Sequence, residues 1–486
     1  MTTLIAVLML ILPVAGALLS ALLKRRARPA AVVIAAIVTG LAAWLTLSTF
    51  GASYTRMLGS LPWLHGIIDA PILGILVDPL ASLMLLVAVP IGLLTVLYST
   101  SYLTDKNQEH PVGSEHYGRY YFWLLLFITS MVGVAISPNF LQFLVFWEIT
   151  TLCSWALISF RQNERSLRAG FKALLMTHVG SAFLLLAILI IFARTNSFEF
   201  SALGRLPEGL RSWVFLFLLI AAWAKAAQVP FQTWLPDAME APTPISAYLH
   251  AAAMVKAGVY LMARTVSSGW AIPPKTALLM AVMALLTIFV ALSFYFVQDD
   301  LKRLLAYSTI AHLGYVLLGI AIGGLGSTLG FRGAVLHIIC HAYSKATLFF
   351  CAGAIAYVTG TRSISALRGL GRSMPLTAVA FFIGLLSVTG VPPLACFWSK
   401  FMILSGATRL HGTIGPTILI LILAETLVSF GWMLYVAQRI FLGPVSVAAQ
   451  VHSDPPWAMS ATLIILMIGC VAVPFIGMPL VHLMGK

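Results

Sequence analysis

The sequence predicts an all-α membrane protein with about fourteen transmembrane helices. Hydrophobic residues make up 60% of its 486 residues and charged residues only 9%, a composition typical of an array of membrane spans. Apolar stretches of about twenty residues follow one another, and each is long enough to cross roughly 30 Å of hydrocarbon. Two of these stretches are interrupted by proline close to a lysine, at Val229-Pro230 and Val391-Pro392, which indicates discontinuous helices at membrane depth.

The predicted helices form a single membrane domain, residues 1–486, with four parts in chain order. Three peripheral helices within residues 1–119 are predicted at 3–23, 30–50 and 72–101. Five helices within residues 120–265 follow, at 120–137, 139–160, 169–193, 212–230 and 243–265. Five more within residues 276–441 are predicted at 276–297, 303–324, 331–358, 376–405 and 415–441, and a last helix at 457–483.

The two groups of five helices are predicted to be inverted repeats. In each group the fourth helix, the seventh or twelfth of the chain, is broken at proline and carries a lysine, Lys225 or Lys400. The second break follows the first by 162 residues, the spacing that two five-helix repeats produce. Inverted repeats place an ion path near the bilayer midplane, between the two halves.

The net charge of +14 is spread over short loops and does not form one solvated face, so no nucleic-acid partner is predicted. With the N-terminus outside, fifteen of the 29 Lys and Arg residues, Lys302 and Arg303 among them, fall in cytoplasmic loops and five within spans. This asymmetry follows the positive-inside rule. We therefore predict a multi-pass protein of the cell inner membrane with both termini periplasmic. The other nine are Arg56, Arg194, Arg205, Arg211, Arg264, Lys275, Arg332, Arg409 and Lys486.

The five cysteines lie in apolar segments, and none forms a C-x-x-C pair. They are interpreted as small buried hydrophobic residues, and no cofactor or metal is predicted. The cysteines are Cys153, Cys340, Cys351, Cys396 and Cys470.

Charged residues within the predicted spans are the candidate functional residues, since each costs on the order of 2.5–3.5 kcal/mol to insert. Glu148 lies in the middle of the apolar run 140–160, and Lys225 follows a long apolar run directly before the first break. Burial disfavours a charged lysine and a nearby carboxylate favours it, so a mobile Glu148 would switch Lys225 between binding and releasing a proton. A permanent ion pair between two helices is the structural alternative.

Between the two breaks, further titratable residues share helix faces. His250 and Lys256 fall in the eighth helix, and His337, His341 and Lys345 recur every four residues along the eleventh. A lone membrane histidine usually makes a structural hydrogen bond, but three titratable groups on one stripe favour a proton relay. Lys400 follows the second break, and Glu425 either ends the path or has a structural role.

Other charged residues receive structural interpretations. Lys172 begins a helix and reaches the surface, and Asp78 before Pro79 is predicted to cap a helix. Asp299, Asp300, Lys302 and Arg303 are predicted to form a cytoplasmic loop cluster, and Asp237 and Glu240 to remain hydrated beside the first break.

Several strings carry a resemblance to a known family. They read N-F-L-Q-F-L-V-F-W-E-I-T, A-A-W-A-K-A-A-Q-V-P-F-Q-T-W-L-P-D-A-M-E-A-P-T-P, D-L-K-R-L-L-A-Y-S-T-I, H-A-Y-S-K-A-T-L-F and G-V-P-P. The chain resembles the antiporter-like subunits of respiratory complex I, Mrp-type cation/proton antiporters and membrane-bound NiFe hydrogenases. Y-S-T-S-Y-L-T-D-K-N-Q-E-H-P and W-E-I-T-T-L-C-S-W-A-L-I-S are most similar to the formate hydrogenlyase type, component D of hydrogenase-4.

The resemblance implies roles for matching residues. Glu148 matches the glutamate of the fifth helix and Lys225 the lysine of the seventh, while Lys400 matches the lysine or glutamate of the twelfth. In the sixth helix this chain reads T-H-V-G-S, where the large complex I subunits have a motif like T-R-V-G-D. His178 and Ser181 therefore replace an arginine and an aspartate, which implies an altered relay to a neighbouring subunit. The residues implied to bridge these positions are His250, Lys256, His337, His341 and Lys345.

The leading hypothesis is a non-redox, proton-conducting membrane subunit of a NiFe hydrogenase. Its implied partners are the lipid bilayer, antiporter-like and anchor membrane subunits, and peripheral subunits carrying NiFe and iron–sulfur centres. A sodium/proton antiporter subunit and a complex I pumping subunit are the alternatives within transport. A b-type cytochrome using His337 or His341, which a Soret band would reveal, and a structural scaffold are the alternatives from other classes.

Overall fold

The computed structural model describes residues 1–60, 72–269, 272–450 and 454–484, which are mostly helical. The helices of the first half are α1 (Thr2–Leu23), α2 (Ala27–Ser48), α3 (Pro79–Tyr102), α4 (Tyr117–Ile136), α5 (Phe140–Ile158), α6 (Glu164–Thr195), α7 (Glu208–Lys225), α8 (Trp234–Asp237), α9 (Thr243–Ala251) and α10 (Met254–Ser267). Those of the second half are α11 (Pro274–Tyr295), α12 (Leu301–Gly324), α13 (Thr328–Thr359), α14 (Pro375–Thr389), α15 (Ala395–Ala407), α16 (Ile414–Phe441) and α17 (Trp457–His482).

Eleven helical stretches of the described residues are long and apolar enough to cross a membrane. One of them, Thr2–Ser48, contains α1, α2 and the turn between them. The 18-residue helix α7 is not among the eleven, and it carries Glu208, Arg211 and Lys225. The all-helical membrane fold is confirmed, and the number of fourteen crossings stays a prediction.

A short antiparallel hairpin precedes α3. Strands β1 (Tyr54–Gly59) and β2 (Leu73–Val77) pair with Tyr54 opposite Val77. The predicted start of the third helix at residue 72 is therefore wrong, because a short apolar run fits a strand as well as a helix. The helix begins only at Pro79, where the Asp78 side chain accepts a hydrogen bond of 2.8 Å from the Ala81 amide, as the predicted N-cap requires.

Asp78 has a second role as the partner of a buried cation. Arg264, which is only 2% exposed, donates to both carboxylate oxygens of Asp78 and to the Tyr260 hydroxyl. Burial acts to raise the pKa of Asp78, but the charge of Arg264 and the hydrogen bonds from Arg264 and the Ala81 amide together hold that pKa below its usual range. Arg264 lies within the predicted eighth helix, 243–265, and belongs to the last turn of α10.

Both predicted helix breaks are confirmed. Helix α7 ends at Lys225, the chain crosses a cis Val229-Pro230 bond, and only the one-turn α8 and a 3-10 turn precede α9. Helix α14 ends before Gly390, which adopts φ +94°, and α15 starts after a cis Pro392-Pro393 bond. The region predicted as one helix over 243–265 is also divided, at Ala252 and Ala253. The prediction missed this division because a run of alanines carries no sequence signal for a break.

Helix α13 lies at the centre of the second half and packs against α3, α9, α12, α14, α15 and α17. Its middle, from Gly333 to Tyr357, is almost entirely buried. In contrast, α6, α16 and α17 expose large apolar side chains such as Leu189, Leu427 and Phe475, as expected of helices that face lipid or other subunits. The division into two inverted repeats at 120–265 and 276–441 stays a prediction.

Candidate functional site

The three-residue stripe on α13 faces α10 and α12. His337, His341 and Lys345 are all completely buried. The ammonium nitrogen Nζ of Lys256, on α10, lies 2.7 Å from Nδ1 of His341, and Nζ of Lys345 donates to the Leu305 carbonyl of α12 at 3.3 Å. The structure therefore brings Lys256 of α10 against the titratable stripe of α13.

A third histidine, which the sequence analysis missed, joins this row. His312 of α12 places its Nδ1 atom 3.1 Å from Nε2 of His337, and its ring centroid lies 5.1 Å from that of His341. It is the only histidine in its helix, so no spacing on one helix face indicated a role. Because His312 and His337 hydrogen bond to each other directly, no iron fits between these two nitrogens as it would in a haem axial pair.

The row continues towards α15 and α16. Nδ1 of His337 lies 2.8 Å from the Ser399 hydroxyl. The next residue, Lys400, donates from Nζ to the Thr389 carbonyl at 3.3 Å and sits 4.6 Å from the centroid of the Tyr315 ring. The Tyr315 hydroxyl in turn donates to the carboxylate of Glu425, which is only 2% exposed. Tyr315 thus links the predicted end members Lys400 and Glu425.

His250 is placed between the two halves without a polar partner. It is completely buried, and neither of its ring nitrogens has a hydrogen-bond partner among the described residues. Its ring packs 4.7 Å from that of Phe349 on α13. Buried polar groups rarely stay unsatisfied, so these nitrogens are suited to bind water molecules that continue a proton path.

Lys225 is completely buried at the end of α7. Its Nζ atom donates to the Trp147 carbonyl at 2.9 Å and to the Thr151 hydroxyl at 2.5 Å, and lies 4.7 Å from the centroid of the Trp147 ring. Among the described residues no carboxylate lies within ion-pair distance of Lys225. The Lys225 ammonium is therefore held by α5, through the residue that precedes Glu148, and is not bonded to Glu148 itself.

Glu148 and His178 form a pair on the outer surface of α5 and α6. Oε2 of Glu148 lies 3.5 Å from Nδ1 of His178, and their side chains are 32% and 68% exposed. They line an open, mainly apolar cavity of about 620 Å³ with Leu144, Leu152 and Leu185. The prediction that Glu148 is buried in this chain is wrong, because α5 turns this residue outwards. Nearby, Ser181, which stands at the position of the aspartate in the T-R-V-G-D motif, accepts a hydrogen bond of 3.0 Å from the Trp147 indole.

The prediction that Lys302 belongs to a cytoplasmic loop is wrong. Although it lies in the first turn of α12, it is completely buried, and its Nζ atom donates to the Met239 and Ala241 carbonyls at 2.8 and 2.7 Å. Arg303 beside it is more exposed and pairs with Asp237 at 3.0 Å, as Lys172 does at 2.7 Å. Cations of α6 and α12 therefore hold the segment after the first break.

A second carboxylate, Glu109, belongs to the same cluster. Its Oε1 atom lies 2.9 Å from Nε of Arg362, and its side chain is 6% exposed. Burial acts to raise the pKa of Glu109, but the charges of Lys302 and Arg362 outweigh burial and keep that pKa below its usual range. Burial and the positive charge of Arg161 lower the pKa of the neighbouring His110 to about 4. The sequence analysis did not single out Glu109 or His110, because they lie in a polar loop.

These contacts define a polytopic membrane protein with buried lysines and histidines arranged in a row across its centre. Two family models match the sequence. One is described as "NADH:quinone oxidoreductase/Mrp antiporter, TM" and matches residues 137–429. The other is described as "NADH-Ubiquinone oxidoreductase (complex I), chain 5 N-terminus" and matches residues 68–121. The chain belongs to this family of antiporter-like membrane subunits.

Curated relatives agree with this assignment. The chain is 36% identical over 445 residues to the chloroplastic NAD(P)H-quinone oxidoreductase subunit 5 of Chaetosphaeridium globosum, covering 86% of this chain and 64% of the relative. It is 39% identical over 354 residues to the subunit 5 of Populus trichocarpa, covering 68% of this chain and 45% of the relative. The chain thus spans about half to two thirds of the length of these relatives.

Two solved structures share the fold. A chain of the Mrp complex from Dietzia sp. DQ12-45-1b is 31% identical with a TM-score of 0.86, covering 99% of this chain and 52% of that one. A chain of the membrane-bound sulfane sulfur reductase, an archaeal respiratory membrane complex, is 25% identical with a TM-score of 0.83, covering 99% of this chain and 96% of that one. The predicted family is therefore confirmed. The roles of the individual site residues stay predictions.

Proposed function

We propose that this chain conducts protons across the membrane as the antiporter-like subunit of a multi-subunit NiFe hydrogenase of the formate hydrogenlyase type. The observation that carries the proton path is the row from Lys256 through His341, His312 and His337 to Ser399, in which every member is buried. Three of its links are hydrogen-bond distances of 2.7, 3.1 and 2.8 Å. Such a row has no evident structural purpose that apolar residues would not serve better.

The chemistry of the row suits stepwise proton transfer. A protonated Lys256 donates to Nδ1 of His341, and each histidine accepts a proton on one ring nitrogen while it releases a proton from the other. His312 and His337 pass a proton between them in this way, and the Ser399 hydroxyl accepts and donates in the same manner. Lys400, Tyr315 and Glu425 extend the path to α16.

Lys225 and Glu148 form the other end of the proposed path. Lys225 bonds to α5 beside Glu148, and Glu148 faces outwards with His178. We propose that a neighbouring membrane subunit covers this polar pair. Moving one proton across about 180 mV takes roughly 4 kcal/mol, and electron transfer in peripheral subunits with NiFe and iron–sulfur centres would supply it.

The hydrogenase assignment rests on the sequence strings around residues 98–111 and 147–159. The same proposal places the chain in the cell inner membrane with both termini periplasmic, together with other antiporter-like and anchor subunits. Fold similarity to a chain of an archaeal respiratory membrane complex supports an assembly that couples a redox reaction to ion movement.

Two observations favour different complexes. The 31% identity to a chain of the Mrp complex over nearly all of this chain supports a sodium/proton antiporter subunit. The identity of 36–39% to the subunit 5 relatives supports a complex I pumping subunit. The buried lysines and histidines of this chain are compatible with a subunit of any of these three complexes. The three assignments are therefore distinguished by the transported ion and by the electron donor.

The test uses inverted membrane vesicles that contain the intact complex. Proton uptake is followed with a pH-sensitive dye after formate is added, with and without sodium, in the wild type and in Lys256→Ala. Formate-driven, sodium-independent uptake that Lys256→Ala abolishes is the expected result. Uptake that needs a sodium gradient instead of formate would contradict the hydrogenase assignment and favour an antiporter subunit. Unchanged uptake in Lys256→Ala would refute the proton path.

A further inference from the structure

A second polar stripe runs along α13, beside the row of histidines. Cys351, Thr347, Ser344 and Cys340 recur every three or four residues and lead to His337, so they share one helix face. All four are completely buried. Intervening positions such as Phe349 and Phe350 are apolar. In the sequence the cysteines are interpreted singly as small hydrophobic residues, and their helical spacing with the hydroxyl residues becomes significant only in the structure.

Three members of this stripe, Ser344, Thr347 and Cys351, meet a hydroxyl, thiol or carbonyl across a helix interface. The Ser344 hydroxyl lies 2.6 Å from that of Ser387 on α14 and 3.6 Å from the Cys396 sulfur on α15. The Thr347 hydroxyl lies 3.4 Å from the Cys470 sulfur on α17. The Cys351 sulfur lies 3.7 Å from the Thr377 carbonyl on α14. The polar atoms of three neighbouring helices therefore converge on the stripe.

One end of the stripe reaches a half-buried carboxylate. Asp454, in the segment before α17, accepts hydrogen bonds from the Thr377 hydroxyl at 2.8 Å and from the amides of Thr377 and Leu376 at 3.0 and 3.1 Å. Asp454 therefore lies at the start of α14, at the same end of the helices as Arg362 and Arg372. The opposite end of the stripe is Cys340, whose thiol interacts with the Ser399 hydroxyl, and that hydroxyl lies 2.8 Å from Nδ1 of His337.

We propose that this hydroxyl–thiol stripe is a side branch of the proton path, joining the surface at Asp454 to the central row at Ser399 and His337. The branch rests on the proposed function. The Ser344 and Thr347 hydroxyls donate to the Cys340 and Tyr343 carbonyls of their own helix. In the proposed transfer each hydroxyl turns from that carbonyl and passes its proton to the next group as it accepts another, so no charge remains in the stripe. The Cys351 thiol donates to the backbone carbonyl of Thr377 and not to its hydroxyl, so transfer between Asp454 and Cys351 requires a water molecule.

Hydroxyl groups between helices also occur purely for packing, where they bond across the interface. The two roles differ in what they require of Thr347. Packing depends on its shape, which valine reproduces, whereas proton transfer depends on its hydroxyl, which serine retains. Thr347→Val and Thr347→Ser are therefore a matched pair of variants, and Ser344→Ala/Ser387→Ala removes the closest hydroxyl contact.

The experiment measures formate-driven proton uptake in vesicles with the intact complex. Thr347→Val and Ser344→Ala/Ser387→Ala are expected to lower the uptake rate at least about tenfold, as for a lost proton-relay group, while Thr347→Ser stays within about twofold of the wild type. Thr129→Val, which removes a buried hydroxyl of α4 that bonds to its own helix, is the control and should resemble the wild type. Rates unchanged in all stripe variants, while Lys256→Ala abolishes uptake, would overturn the branch alone. Retained uptake in Lys256→Ala would overturn the proposed function itself.

If a stripe variant does not assemble, a second measurement tests whether water reaches the stripe. In intact complexes whose antiporter-like subunit keeps only one of its five cysteines, a membrane-impermeant methanethiosulfonate reagent is added on the side of Asp454. Cys351 or Cys470 should react at least about tenfold faster than Cys153 of α5, because thiolate formation needs water access. Equal or slower reaction of both would contradict a hydrated branch.

Discussion

The ammonium nitrogen of Lys256 lies 2.7 Å from Nδ1 of His341, which joins α10 to α13 at the centre of the protein. Both residues are completely buried, so this contact links the two halves of the chain through titratable groups alone. The proposed proton path therefore requires both halves.

Replacement of Lys256 tests this contact. Lys256→Ala is expected to lower coupled proton uptake on the order of 10²-fold or more, the usual effect of losing a proton-transfer group. Lys172→Ala removes a half-exposed ion pair with Asp237 and should leave uptake within about twofold, since such pairs contribute little. Vesicle uptake assays measure both, and an equal loss in the two variants would indicate a general assembly defect.

His312 is expected to act as one unit with His337. His312→Ala and His337→Ala should each lower proton uptake strongly, and the double variant should lower it little further, because both remove the same link. A double-mutant cycle of uptake rates measures this coupling. Additive losses would show that the two histidines, although 3.1 Å apart, do not serve one path.

Arg264 is expected to be important for stability. Arg264→Ala leaves the carboxylate of Asp78 without its buried partner, and breaking such a pair costs about 3–5 kcal/mol. Arg168→Ala removes the exposed pair with Glu164 and should cost less than about 1 kcal/mol. Chemical denaturation in detergent compares the two, and Arg264→Ala/Asp78→Asn should recover part of the loss. Equal unfolding midpoints for Arg264→Ala and the wild type would contradict the role of this pair.

The loop histidine His110 is expected to make the stability of the protein sensitive to acid. Its pKa is lowered from 6.5 to about 4 by burial and by Arg161, so between these pH values the unfolded chain binds a proton that the folded chain does not. Stability therefore falls as the pH drops from 6.5 towards 4. The thermal unfolding midpoint of His110→Asn should decline less over this range than that of the wild type.

The control for this effect is His116→Asn, which changes a half-exposed histidine of the same loop. Its unfolding midpoint should follow the wild-type pH dependence. If His110→Asn and the wild type lost stability in parallel between pH 6.5 and 4, another group would be responsible for the acid sensitivity.

The sequence by itself determined the membrane class, the order of most helices and the two breaks. Long apolar runs have few alternatives to spanning helices, and proline within a span removes a backbone donor. The spacing of His337, His341 and Lys345 also determined a shared face of α13, because residues four apart lie on one side of a helix.

Only the tertiary structure decided which residues face each other. His312 joins the row because α12 packs against α13, and Glu148 faces outwards because of how α5 packs between its neighbours. Lys302 is buried in a segment whose sequence resembles a charged loop, since backbone carbonyls after the first break surround its ammonium group. Spacing along one helix determines neighbours on that helix, whereas contacts between helices depend on packing angles that no single segment of sequence encodes.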